Sequence, residues 1–168
     1  MKRTALFPFF LLAIALLVVL PQVSFAVQEN EDYSRVLNLS MTDMTEEARQ
    51  VLKKRYPDAN WEQYDFPAYV YTSDSVETGY KIAVKEPELL RNFKCYCFCD
   101  AMGHQSLLWC FLKDGEFAKG FDDHGADCNI CYGQAMMALL WEDAGVTVER
   151  MQKGYKKKFE RLIEQYGK

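Results

Sequence analysis

All six cysteines and both histidines of the chain fall between positions 95 and 131. Cys95, Cys97 and Cys99 form a CxCxC run. His104, Cys110 and His124 follow singly, and Cys128 and Cys131 close the series as a CxxC. Thiolate and imidazole share one chemistry above others, the ligation of soft or borderline metal ions. In extended backbone alternate side chains share a face, so the CxCxC run can present three sulfurs together; in a helix Cys97 would point away from the other two. Cys128 and Cys131, at i and i+3, fit one face of a first helical turn. Unpaired N–H groups and the helix dipole would favour their thiolates there. His124, four residues earlier, can fold back toward the same place.

Charge limits what eight such ligands can hold. One tetrahedral divalent ion takes four. Six thiolates around it would leave four uncompensated negative charges. Two ions such as Zn(II) with divided ligands, or a polynuclear Cu(I)–thiolate cluster, balance better, and Cu(I) favours soft sulfur. Two metal-free alternatives stand beside this reading. Three disulfides could staple loops, with Cys110, Cys128 and Cys131 as the distant mates that the tightly spaced CxCxC cysteines would need. Cys128-Asn129-Ile130-Cys131 could also act as a redox dithiol, although the βαβ pattern that supports such motifs is missing. A c-type haem site is excluded because Tyr132, not histidine, follows Cys131.

The elements that must position these groups read as helices. Asp43 to Arg55 has Thr42 as a cap, acids at its start, three bases at its end and Pro57 beyond. Residues 58–73 are an irregular aromatic stretch. Ser75 to Lys85 follows, with Val76, Tyr80 and Val84 on one face, and Pro87 opens a short turn over Glu88 to Arg91. Beyond the cysteine region, capped by Asp127, Ile130 to Glu142 is apolar almost all round and belongs in the interior, with Met136 and Met137 as core filler. A last helix from Thr147 carries the stripe Met151, Tyr155, Phe159, Leu162 and Tyr166, with Lys156 to Lys158 in solvent; Gly154 weakens it by about 1 kcal/mol relative to alanine. Asp122 and Asp123 read mainly as a solvated loop pair beside His124.

The 168 residues suffice for one domain. Lys2 and Arg3, the apolar run 5–20, Pro21 and the small residues Ser24 and Ala26 have the form of a cleavable signal peptide. Residues 1–26 are therefore assigned to that signal, 27–40 to a polar, loosely ordered segment, and 41–168 to the Cys/His-rich domain. An uncleaved membrane anchor is the lesser alternative. Removing 1–26 takes the formal net charge from −4 to −6, which argues against a nucleic-acid partner. No nucleophile–base arrangement or phosphate-cradling loop points to catalysis.

The segments Lys94-Cys95-Tyr96-Cys97-Phe98-Cys99, Gly103-His104-Gln105-Ser106-Leu107, Cys110-Phe111 and His124-Gly125-x-x-Cys128-x-x-Cys131 resemble the PCYCGC-motif proteins. So does the preceding stretch from Tyr80 to Leu90. That resemblance implies a secreted or lipid-anchored bacterial protein of uncharacterised function. Two positions depart from the motif. Lys94 stands where the family has proline, and Phe98 where it has glycine, so a different loop path is expected around Phe98. This chain lacks a cysteine at the end of its leader for lipidation.

Together these readings predict a mainly α, single small helical domain organised around a Cys/His-rich loop region and preceded by a signal peptide. Its expected role is an exported, periplasmic or extracellular protein binding Cu(I) or Zn(II). Cys95, Cys97, Cys99, Cys110, Cys128 and Cys131 are the expected ligands, with His104 and His124 completing or orienting the site. A metal-handling protein is the partner class this implies, and no membrane span remains after signal cleavage.

Overall fold

The computed structural model of the protein describes residues 31–167. The segment read as a signal peptide, and residues 27–30, lie outside them. The described chain is mainly helical. Among the described residues the α-helices are α1 (31–38), α2 (Met41–Arg55), α3 (Asp74–Lys85), α4 (Pro87–Arg91), α5 (His124–Asp127), α6 (Asn129–Asp143), α7 (Val148–Lys158) and α8 (Glu160–Tyr166). Short 3-10 turns fill 62–72 and 99–119. Among the described residues β-pairing is limited to one antiparallel bridge, Leu112 to Phe121, and no helix is long and apolar enough to cross a membrane.

The centre is α6. Ala135, Met136, Met137, Ala138, Leu139, Leu140 and Trp141 are all buried, and α2, α3 and α7 pack around them. Each large apolar side chain so covered contributes about 1.5–3 kcal/mol. The helix begins at Asn129 with Cys128, not Asp127, as the cap. Similarly Ser40, not Thr42, caps α2, its hydroxyl accepting the Asp43 N–H at 3.2 Å. Ser73 caps α3 and Pro87 opens α4 at its first turn.

Arg55 ties three elements together. Its guanidinium lies 2.9 Å from Glu86, 2.6 Å from Glu142 and 3.3 Å from Asp143. The C-terminal ends of α2 and α6 and the α3–α4 junction therefore meet on one cation.

Two segments depart from the sequence expectation. Residues 31–38 are not loosely held: Val36 is buried, Tyr33 stacks on Trp141 at 5.5 Å, and the Trp141 indole N–H donates to the Tyr33 carbonyl at 3.2 Å. The helix that starts at Thr147 does not run through to Tyr166. It stops at Lys158, bends at Phe159 (φ −107°, ψ 17°) and resumes as α8. Phe159 stacks on Tyr96 at 5.4 Å, and the bend brings Tyr166 to 6.2 Å from Phe98. Tertiary ring packing overrides the continuous helical stripe.

Candidate metal centre

The CxCxC run follows α4 in a loop that is pinned from two sides. The Leu107 N–H donates to the Phe93 carbonyl at 2.7 Å. Gln134, fully buried on α6, accepts the Tyr96 N–H at 2.8 Å and donates to the Lys94 carbonyl at 3.2 Å. Between these anchors the backbone curls. A strand would space alternate residues about 6.6 Å apart, whereas Cys95 Sγ lies 3.1 Å from Cys97 Sγ, and Cys97 Sγ 2.7 Å from Cys99 Sγ. The curl passes through Phe98, which adopts a left-handed conformation at φ 63°. Glycine reaches that region without the Cβ penalty, so Phe98 accepts strain at the position where the motif has glycine.

Cys131, in the first turn of α6, enters the same space from below, 3.4 Å from Cys95 Sγ and 3.6 Å from Cys97 Sγ. Cys110, at the end of the 3-10 turn Leu107–Cys110, comes within 3.5 Å of Cys99 Sγ. The ligand atoms of Cys95, Cys97, Cys99, Cys110 and Cys131 all lie within 4.8 Å of one another, close enough that they could hold a metal ion. Only Cys97 of the five is partly exposed, and all six cysteines are free thiols, so no disulfide staples these loops.

Cys128 stands outside the five-sulfur group as the α6 cap, although it interacts with Cys131 and Cys97. His104 and His124 form a separate cluster with Asp122. His104 touches the sulfur group through Cys110, with Nδ1 3.6 Å from Sγ. His124 joins His104 and Asp122 and not the five-sulfur group. Its Nδ1 pairs with Asp122 Oδ1 at 3.2 Å, and its backbone N–H donates to the same oxygen at 3.0 Å. Asp122 is thus engaged with the imidazole, while Asp123 is the exposed member of the pair.

The sulfurs divide by charge. Hydrogen bonding from Cys110, then from Cys131 and its neighbours, holds Cys99 down to about 3 and lowers Cys97 as well. Cys131 is pushed well above the ordinary thiol range, first by Cys110, then by Cys128, Cys95, Cys97 and burial. Cys110 and Cys131 draw Cys95 down, but Cys97, Cys99 and burial together leave it raised. Cys110 is drawn down by Cys131 and raised overall by Cys95, Cys97, Cys99 and burial. Cys131 draws Cys128 down too, and Cys97 and burial outweigh it. The Cys131 backbone N–H at the helix start does lower Cys128, but neighbouring sulfurs and desolvation outweigh it and leave Cys128 and Cys131 raised.

The whole arrangement, from the first described residue to Gly167, falls inside a match to the family described as protein of unknown function with PCYCGC motif, which covers residues 17–167. This chain belongs to that family. No curated protein and no solved structure matches it. In this PCYCGC-motif protein the motif cysteines supply three of the five clustered sulfurs, and Cys110 and Cys131 supply the other two. Two positioning residues escaped the sequence reading. Gln134 holds the motif loop, and its signal was the one amide within the apolar run from Ile130 to Trp141. Tyr80, whose buried hydroxyl donates to the Asp122 carbonyl at 2.5 Å, holds the histidine loop and was legible only as a core aromatic.

Proposed function

We propose that this PCYCGC-motif protein is an exported metal-binding protein whose five-sulfur cluster holds a soft metal ion. The observation that carries the reading is the convergence of Cys95, Cys97, Cys99, Cys110 and Cys131 within 4.8 Å. Buried free thiols are usually scattered, each packed as a small apolar group. Five brought together from three chain segments instead gain their stabilisation when a cation replaces their protons. A single tetrahedral ion uses four sulfurs, so the fifth favours a thiolate-bridged Cu(I) cluster over one Zn(II). Cu(I) prefers soft sulfur and accepts two or three ligands. Such a protein buffers or delivers copper outside the cytoplasm, in exchange with a metal-handling partner. Export is supported by the signal-like residues 1–26.

The test uses protein recovered without chelator. Elemental analysis measures bound metal, and intact mass after alkylation counts thiols. Near-stoichiometric copper, with all six cysteines alkylated once the metal is stripped, is the expected result. Zinc in its place would keep the metal reading and correct the ion. Absence of metal, together with a mass lower by about six hydrogens from three disulfides, would overturn the proposal.

A further inference from the structure

The imidazoles stand apart from the sulfurs, and their surroundings are those of a second site. His104 follows the 3-10 turn Cys99–Met102, which Gly103 closes at φ 95°; the His104 N–H returns to the Cys99 carbonyl at 3.3 Å. His124 comes from a different loop, the start of α5. The two rings meet edge to face with centroids 4.9 Å apart. Asp122 completes the group, and one donor atom from each of the three residues lies within 4.8 Å of the others.

We propose that His104, His124 and Asp122 form a second metal site, made of nitrogen and oxygen donors, that takes a borderline divalent ion such as Zn(II) beside the sulfur cluster.

Three features support it. Donors at about 2.0–2.1 Å from one tetrahedral zinc stand roughly 3.4 Å apart, and Asp122 Oδ1 and His124 Nδ1 are already 3.2 Å apart. The loop that carries them is braced: the Asp122 N–H donates to the Phe111 carbonyl at 2.9 Å, and its carbonyl accepts the Tyr80 hydroxyl. Such bracing holds donors in register before an ion arrives. Finally, the site is reachable, with 38% of the His124 side chain and 22% of Asp122 exposed, so water can take a fourth position. Two imidazoles and a carboxylate suit Zn(II), not Cu(I). The site therefore differs from the buried sulfurs in the metal it selects, although His104 and Cys110 are in contact. It goes beyond the sulfur reading and does not depend on it.

Reduced, metal-free, full-length protein is titrated with Co(II) as the probe. Sulfur-to-cobalt charge-transfer absorption reports thiolate ligation, and paramagnetic displacement of imidazole proton resonances reports histidine ligation. The chain has two histidines, so single His104→Gln and His124→Gln variants assign both resonances. The expected result is that both resonances move in the wild-type protein. The double variant is expected to bind about one equivalent less with its sulfur band intact. Unmoved imidazole resonances in the wild type would overturn the site while leaving the sulfur reading in place. Loss of the sulfur band in a double variant that keeps its helical circular dichroism would also overturn it, since the imidazoles would then complete the sulfur cluster. Moved resonances without any sulfur band would support this site and reject the sulfur reading.

Discussion

The side-chain amide of Gln134 spans the gap between α6 and the motif loop, accepting the Tyr96 N–H at 2.8 Å while it donates to the Lys94 carbonyl at 3.2 Å. Tyr96 lies between Cys95 and Cys97, so this pair of bonds sets the height of two sulfurs over Cys131, three residues before Gln134 on the same helix. A polar group in a dry helix core is otherwise costly. Here it joins the loop to the helix that carries the fifth sulfur.

Gln134→Leu conserves most of the volume and removes both bonds. The buried Tyr96 N–H, left without a partner, costs about 1–3 kcal/mol. Urea denaturation is expected to show a loss of that order, and metal affinity is expected to fall with it. Unchanged affinity would mean that the loop holds its shape without the amide.

Gly154→Ala separates packing from propensity. Helix propensity alone predicts a gain of about 1 kcal/mol. A Cβ at this position would sit 2.6 Å from Trp141 Cη2 and 3.1 Å from the Tyr33 ring, with Trp141 itself fully buried. Overpacking of this kind costs about 1–3 kcal/mol. The expected result is therefore a lower denaturation midpoint, and a higher one would contradict the close α6–α7 contact.

The helices were largely legible because their signals are local. Ser73 and Pro87 mark the starts of α3 and α4, and the unbroken apolar surface of α6 announced its burial. The bend at Phe159 was not legible, since it depends on Tyr96 from a distant loop. Residues 31–38 looked polar because Tyr33 and Val36 are few among acids and serine, yet Trp141 anchors them. Spacing gathered the eight donors into one region of the chain. It could not divide them, because the turn before His104 is closed by Gly103, the motif loop is held by Gln134 and the Asp122 loop by Tyr80, none of which is itself a metal ligand.

Proton release on metal binding follows from the division of charge. In the metal-free protein the thiols of Cys95, Cys110 and Cys131 are raised, whereas those of Cys97 and Cys99 are lowered. Binding that engages all five sulfurs must then expel the protons that the raised thiols carry. Those protons are products of binding, so affinity is expected to weaken as proton concentration rises toward acid. Calorimetry in buffers of different ionisation enthalpy counts the protons. A pH-independent affinity with no release would contradict the assignment.

The central claim is that sulfur holds the metal, and X-ray absorption at the metal edge tests it most directly, on protein carrying one equivalent or less of copper or zinc. The account predicts a first shell dominated by sulfur, at about 2.3 Å if the ion is zinc. A shell of nitrogen and oxygen alone, at about 2.0–2.1 Å for zinc, would contradict it.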